Sequence, residues 1–253
     1  MSSDTPDQPP PYDDDPSNDV NKTLEPAILL LAAQSIHAES ATSASLYQLN
    51  RGVADLTYAT SEVEFSRVDR SVRTNSSDEP TVRPRVRHIY DLKHQKGILG
   101  TLSSLPSDSP AFFIEAMSRK TLGCMGLKKS ALRSQWRALP VDITGKASKY
   151  NFPAFVKDAK PLFEIREKKG RYEWSDSEGN AIAVEDDGEG QRRLLVTASL
   201  QRDTMDALVA LWCCRLWQYN AEHQEPLYSG MDGVRRKFAL AKEMGNGKGG
   251  IYG

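Results

Sequence analysis

Three features of the sequence predict a mainly β protein (α+β): a closed antiparallel β-barrel around a central apolar C-terminal helix, with a disordered N-terminal tail. Short alternating apolar and polar runs, separated by turn residues, fill residues 45–199. Arg215 is the one polar residue between Ala207 and Trp217, and a helix that is apolar on every face must be buried on every face. Residues 1–26 are acidic and proline-rich, a composition that disfavours a packed core.

Charge divides the chain into the same parts. The 253 residues carry a formal net charge of −1, so no overall field attracts a polyanion, and we expect no nucleic-acid partner. Residues 1–26 carry −6, residues 27–224 carry +3 and residues 225–253 carry +2. We therefore expect a disordered tail (1–26), a folded barrel (27–224) and a basic, glycine-rich tail (225–253).

The N-terminal tail contains one recognition motif. Pro9, Pro10, Pro11 and Tyr12 form a Pro-Pro-x-Tyr sequence, whose consecutive prolines favour the polyproline II conformation that WW domains bind. The motif resembles the docking peptides of WW-bearing ubiquitin ligases of the HECT class, which implies such a partner. The alternative is a solvating leader. The tail lacks the pattern of a signal peptide, so we expect a cytoplasmic protein, or a peripheral membrane or nuclear one, and not a secreted one.

The first apolar segment, Pro26–Ala38, fits two structures. Proline at its start suits the first position of a helix, and the apolar run then lasts about three helical turns. A buried strand through Ile28–Leu31 is equally compatible, because short apolar runs do not separate the two periodicities. The sequence leaves this element open.

Nine later segments alternate as strands do. A hairpin loop with Gly170 joins two of them, and the turn Asp176–Asn180 follows. The predicted strands are Leu46–Leu49, Val63–Val68, His88–Leu92, Phe112–Met117, Gln135–Leu139, Leu162–Arg166, Arg171–Trp174, Ala181–Val184 and Arg193–Ala198.

The last element is the apolar helix, predicted over Gln201–Tyr219 with Asp203 as its N-cap. Its apolar stretch is far shorter than the roughly 20 residues that cross a bilayer. A helix threaded through a closed sheet buries all of its faces. Trp212 and Trp217, with the two cysteines between them, are then core residues.

These elements together resemble the tubby C-terminal-like superfamily, which includes the tubby, phospholipid scramblase and LURP-one-related proteins. The strands Leu162–Arg166 and Arg171–Trp174, the turn Asp176–Asn180 and the helix Asp203–Tyr219 carry the resemblance. It implies a twelve-stranded barrel that encloses an apolar helix. Scramblase-like members also share a proline-rich tail with Pro-Pro-x-Tyr, as at Pro9–Tyr12.

The resemblance also implies phosphoinositide or anionic-membrane binding through basic side chains, which suit multivalent phosphate. The best candidates are Arg83, Arg85 and Arg87, because alternate residues of a strand project from one face. Lys128 and Lys129 form a second basic group. The alternative for the arginines is a solvated entry to the strand at Ile89.

Two features of scramblases are missing from the sequence. It has no cysteine-rich segment, and the turn Asp176–Asn180 lacks the glutamate that a calcium loop carries at its twelfth position, where Asp187 stands. We therefore expect Asp176–Asn180 to be a β-turn. Calcium-driven lipid scrambling is disfavoured.

The sequence shows no catalytic signature. It has no Gly-x-Ser-x-Gly, His-Glu-x-x-His or phosphate-loop motif, and its four histidines make no metal-ligand spacing. We therefore predict no catalytic residue, metal or cofactor, and a non-enzymatic cytosolic adaptor. The alternative is a lipid-handling, scramblase-like protein or an enzyme with a ligand cavity in the barrel, which bulky Trp212 and Trp217 disfavour.

Overall fold

The computed structural model describes residues 22–39, 42–74, 80–96, 105–130, 135–146, 151–187 and 190–224. Within these ranges the structure has fifteen strands and one long helix, and a short 3₁₀ turn covers Val53–Asp55. The strands are β1 (Thr23–Leu24), β2 (Ala27–Ala32), β3 (Ser35–Ala38), β4 (Ser45–Leu49), β5 (Glu62–Thr74), β6 (Pro80–His94), β7 (Phe112–Ala116), β8 (Met125–Lys129), β9 (Gln135–Asp142), β10 (Ala154–Phe155), β11 (Phe163–Lys168), β12 (Arg171–Asp176), β13 (Ala181–Asp186), β14 (Arg192–Val196) and β15 (Leu200–Gln201). The helix α1 spans Arg202–Gln224.

Twelve of the strands close into an antiparallel barrel, which confirms the predicted fold. Strands β2 to β9 follow one another around the wall, and β11 to β14 complete it. Strand β9 pairs with β8 and β11, and the ring closes where the last wall strand, β14, pairs with the first, β2. Because each wall strand then has a neighbour on both sides, the barrel has no open sheet edge.

The helix α1 fills the barrel as predicted. Its residues from Met205 to Leu216 are all buried, and Trp217 is fully covered. Wall residues such as Phe65, Ile114 and Ile165 project inward onto it, since alternate residues of each strand face the interior. The helix is apolar on every face because every face meets the wall.

The undecided segment Pro26–Ala38 is a β-hairpin. Strands β2 and β3 pair from Leu29 with Ala38 to Ala32 with Ser35, and the chain reverses at Ala33, whose φ is +51°. The apolar run was ambiguous because it spans two strands and the turn between them. The strand alternative is confirmed, and the helix alternative is wrong.

Two boundaries differ from the prediction. The folded part begins earlier than residue 27, because Thr23 and Leu24 form β1, which pairs with β15. Leu24 packs against the core, which stabilises this pairing. Asp203, predicted as the N-cap, lies inside the first turn of α1. Its negative charge there interacts favourably with the positive end of the helix dipole.

Five short strands, β1, β3, β8, β10 and β15, were not predicted. Strand β8 has Gly126 as its second residue and two lysines at its end, a composition that weakens the sequence signal for a strand. An added methyl group at Gly126 would lie 2.7 Å from Pro110 Cβ, which shows that the glycine permits close packing. The predicted tail 225–253 lies outside the described residues.

Candidate functional site

The predicted arginines lie on an extension of the β5–β6 hairpin. Strand β4 pairs with β5 only as far as Arg67, and β7 pairs with β6 only from Tyr90 onward. Residues 67–74 pair with residues 80–87, and from the pair Val68 and Val86 outward the two strands extend beyond the barrel wall. We call this two-stranded extension the arm.

The two faces of the arm differ in chemistry. Directly paired residues of an antiparallel ladder share a face, and here Arg67 pairs with Arg87 and Asp69 with Arg85. This arginine face comprises Arg67, Asp69, Arg83, Arg85 and Arg87. The opposite valine face comprises Val68, Val82, Pro84 and Val86, together with Arg70, which donates to the Ser45 carbonyl at 2.7 Å.

The arginine face begins at the helix start. Arg67 Nη1 donates to Asp206 Oδ2 of α1 at 2.7 Å, and Arg67 Nε donates to Asp69 Oδ1 at 2.8 Å. Arg87 Nε forms an ion pair with Asp69 Oδ2 at 2.9 Å, and Arg202 Nη1 lies 3.9 Å from the same carboxylate. One aspartate thus lies among three arginines, while Arg83 and Arg85 continue outward and are exposed.

The second predicted basic group lies at the other end of the barrel. Lys129 Nζ lies 3.6 Å from Glu222 Oε2, near the C-terminal end of α1. Lys128 and Lys129 cover the rings of Phe155 and Trp136, each at 5.3 Å from the ring centroid. Asp206 and Glu222 are about 24 Å apart along the helix, at 1.5 Å per residue. The structure therefore does not bring the lysines together with the arginines.

Of the N-terminal motif and the turn Asp176–Asn180, the structure describes only the turn. Pro9, Pro10, Pro11 and Tyr12 lie outside the described residues. The turn Asp176–Asn180 is described, and Asp176 Oδ1 accepts the backbone N–H of Glu178 and of Asn180, each at 2.9 Å. Slight burial raises the pKa of Asp176, but these bonds and those of the Asn180 side chain outweigh it and lower the pKa overall. The carboxylate closes a turn, as expected.

The two charged residues within the buried part of α1 are both paired with the wall. Tyr47 Oη donates to Asp206 Oδ1 at 2.8 Å, beside the Arg67 contact. Burial raises the pKa of Asp206, against the opposing effect of Arg67. Arg215 binds Glu185, whose Oε1 also accepts Trp174 Nε1 at 2.8 Å. These pairs fix the rotation of the helix in the barrel and have no exposed reactive group.

Among the described residues, the buried cysteines and the possible metal ligands form no second site. Cys213 and Cys214 are buried, and burial raises the pKa of both thiols, which keeps them protonated. Within the described ranges, no three His, Cys, Asp or Glu side chains are placed to hold a metal ion. In the same part of the chain, no helix combines the length and the apolar character needed to cross a membrane.

His94 lies in an aromatic cluster of the core. Its ring stacks on Phe112 with centroids 4.8 Å apart and lies 6.0 Å from the Trp217 ring. Burial lowers the pKa of His94 below its ordinary value. The folded protein therefore holds this imidazole neutral more strongly than the unfolded chain does.

This lowered pKa predicts a loss of stability in weak acid. Below about pH 6.5, where the unfolded chain protonates His94, the unfolded state binds more protons and is favoured. The contribution of neutral His94 to the free energy of unfolding is complete above that pH and declines as the pH falls. Urea denaturation measures the free energy of unfolding at about pH 7.5 and about pH 5.5. The decrease in this free energy between the two pH values should be smaller for His94→Phe than for wild type. Equal differences in the two proteins would contradict the prediction.

Sequence reasoning missed the partners of the arginines. Arg67, Asp69 and Arg202 were not predicted to belong to a site with Arg83 and Arg85. One signal was present, because alternation continues past the predicted strand end at Val68 and resumes before His88. If the residues after Val68 and those before His88 are taken as the two strands of one long hairpin, Arg67, Arg85 and Arg87 lie on a common face.

Comparison with known proteins assigns no family. No family model matches the chain, and no curated protein and no solved structure matches it significantly. Function is therefore inferred from the chemistry of the arm and of the N-terminal motif.

Proposed function

We propose that the protein is a non-enzymatic cytosolic adaptor that binds anionic membranes, including phosphoinositides, through the arm. The observation that carries this proposal is that one projecting ribbon has an arginine face and, on its other side, a valine face whose outer valines are exposed. Val82 and Val86 are each 56% exposed, which is high for large apolar side chains. Guanidinium groups bind phosphate, and apolar side chains beside them enter the headgroup region.

The proposal places the membrane contact at the end of the barrel where α1 begins. Arg83 and Arg85 are exposed there, whereas Arg67 and Arg87 are bound to Asp69. Arg67, through Asp206 of α1, joins the base of the arm to the barrel interior, and the outer pair Arg83 and Arg85 is exposed to solvent. Lys128 and Lys129, at the opposite end, are not part of this surface.

The N-terminal motif Pro9–Tyr12 completes the proposed adaptor. A WW domain binds such a peptide in the polyproline II conformation. Because consecutive prolines already favour that conformation, the peptide loses little conformational entropy on binding. The partner class is a WW-domain protein such as a HECT-type ubiquitin ligase. The protein would then bring that ligase to an anionic membrane.

A lipid-handling barrel is the second candidate from the sequence. The interior contains α1 and the fully buried rings of Trp174, Trp212 and Trp217, which occupy the space that a ligand would need. This packing favours the adaptor. We also propose kinship with the tubby-like superfamily; its support is the twelve-stranded barrel around an apolar helix, and fold alone does not determine function.

Vesicle co-sedimentation tests the proposed membrane surface. The Arg83→Ala/Arg85→Ala protein should bind phosphatidylserine or phosphoinositide vesicles roughly thirtyfold less tightly, at about 1 kcal/mol for each lost cation. Wild-type binding should weaken as salt increases from about 0.1 M to about 0.5 M. Val82→Ser/Val86→Ser should also weaken binding, and this loss should persist at high salt.

Lys128→Ala/Lys129→Ala is the matched control, because it removes the same charge from the opposite end of the barrel. It should retain wild-type binding. If this control loses binding and the arginine variant retains it, the membrane surface lies at the other end. Absence of wild-type binding to every vesicle would overturn the proposed function.

A further inference from the structure

We propose that the acidic N-terminal segment of the chain, centred on Asp13–Asp15, binds the arginine face of the arm in the same molecule. The segment would occupy the surface on which anionic headgroups are proposed to bind. The competition with membranes rests on the proposed function, whereas the contact between segment and arm does not.

The first argument is where the segment joins the barrel. Strand β1 pairs Thr23 with Gln201 of β15, and the Arg202 backbone N–H donates to the Lys22 carbonyl at 3.0 Å. Arg202 begins α1 and lies 3.9 Å from Asp69 of the arginine face. The chain therefore leaves the folded domain beside the base of the arm.

The second argument is charge. Of the side chains that the structure describes, five arginines and three aspartates lie on the arginine face and in the first five residues of α1, an excess of two positive charges. They are Arg67, Arg83, Arg85, Arg87, Arg202, Asp69, Asp203 and Asp206. Residues 1–21 contain six aspartates and no lysine or arginine. The segment and the face thus have opposite charges and are tethered to each other.

The third argument is reach. An extended chain covers up to about 3.5 Å per residue, so Asp19 lies within about 10 Å of Lys22, and Asp15 within about 25 Å. Arg83 is four residues from Arg87 along β6, or about 13 Å. Asp13–Asp15 can therefore reach the exposed end of the arginine face. The tether keeps the local concentration of the aspartates high without further contacts.

This contact would also affect the Pro-Pro-x-Tyr motif. Tyr12 immediately precedes Asp13, so the motif and the acidic run lie on one short peptide. Docking of the aspartates would hold the motif close to the barrel end. Release of the peptide by an anionic membrane would then expose the motif, which couples the two proposed binding activities.

Zero-length carbodiimide cross-linking tests the contact without a membrane. In full-length Arg83→Lys protein, the introduced amine should form an amide with Asp13, Asp14 or Asp15, identified by mass spectrometry. The cross-link should disappear in about 1 M salt, where the screening length falls to about 3 Å. It should also be absent when Asp13, Asp14 and Asp15 are replaced by asparagine.

Native lysines provide an internal control. Lys128 and Lys129 lie near Glu222, about 30 Å from Arg202 along α1, which the acidic run could approach only if residues 13–22 were fully extended, so we expect far fewer links there than at position 83. Absence of the link at position 83 would overturn the proposal. A link that joins two chains instead would also overturn it, because the occupant of the face would then be a second copy.

Vesicle binding tests the competition. Asp13→Asn/Asp14→Asn/Asp15→Asn should bind anionic vesicles at least about fivefold more tightly than wild type. Glu167→Gln/Glu178→Gln/Asp187→Asn removes the same charge from exposed positions elsewhere and should have a smaller effect. In the Arg83→Ala/Arg85→Ala background, the tail substitutions should have no effect.

The outcomes separate the two proposals. If the cross-link forms but no protein binds vesicles, the contact is established and the membrane function fails. If wild type binds vesicles but the cross-link is absent, the membrane function stands and the contact is overturned. If the tail substitutions and the control substitutions strengthen vesicle binding equally, the competition is overturned.

Discussion

Replacement of Arg215 by methionine is expected to lower the free energy of unfolding by about 3–5 kcal/mol. Arg215 is 3% exposed, and its Nε donates to Glu185 Oε1 at 2.5 Å while its Nη2 contacts the other carboxylate oxygen. The substitution leaves the Glu185 carboxylate in the barrel interior without its counter-ion, and such a buried charge is costly. Urea denaturation followed by tryptophan fluorescence measures the difference.

The control removes both charges. Glu185→Leu/Arg215→Met leaves no stranded ion, so we expect it to recover much of the stability lost in the single variant. The recovery is incomplete because Trp174 Nε1 loses its acceptor and Arg215 no longer covers the Tyr172 ring. A double variant as unstable as the sum of the two single variants would show that the pair is not coupled.

Truncation of Trp217 to alanine is expected to lower the free energy of unfolding by about 3–5 kcal/mol. The indole is fully buried, its Nε1 donates to the Thr57 carbonyl at 3.1 Å, and its ring meets Phe112 edge to face with centroids 5.3 Å apart. The surrounding wall is a closed ring of strands, so it collapses poorly onto the space left behind. The same denaturation experiment measures the loss.

Tyr219→Ala is the matched control for this truncation. Tyr219 lies two residues along the same helix but is 37% exposed, with its ring near Arg192. We expect its truncation to cost far less than that of Trp217. Similar losses in the two variants would indicate that the barrel interior adapts to the missing indole, contrary to the rigid core inferred here.

The barrel and its helix were predictable because their signal is local. Ala207 to Trp217 contains one charged residue, and a segment of that composition has few stable environments outside a protein core. The strand runs alternate with the period of a pleated sheet, and turn residues separate them. The hairpin at Ala33 was not resolved because Ile28–Leu31 is continuous in its apolar character.

The candidate site was only half predictable because its contacts join distant residues. Arg67 and Asp206 are 139 positions apart, and no local pattern signals that they meet. The lysines at 128 and 129 looked similar to the arginines in sequence, but strand β8 places them at the other end of the barrel. Position around a closed ring depends on the pairing of all strands, which local periodicity does not determine.

The closure between β2 and β14 has a consequence for how the chain folds. Ile28 pairs with Leu195, so this ring contact joins strands from nearly opposite ends of the barrel sequence. Contacts of such long sequence separation slow folding, because the entropy of the intervening loop is lost before the pairing is gained. During synthesis, the apolar faces of β2 and β3 must therefore wait for β14 and α1. The nascent barrel passes through an open stage in which those faces are exposed to aggregation or to chaperones.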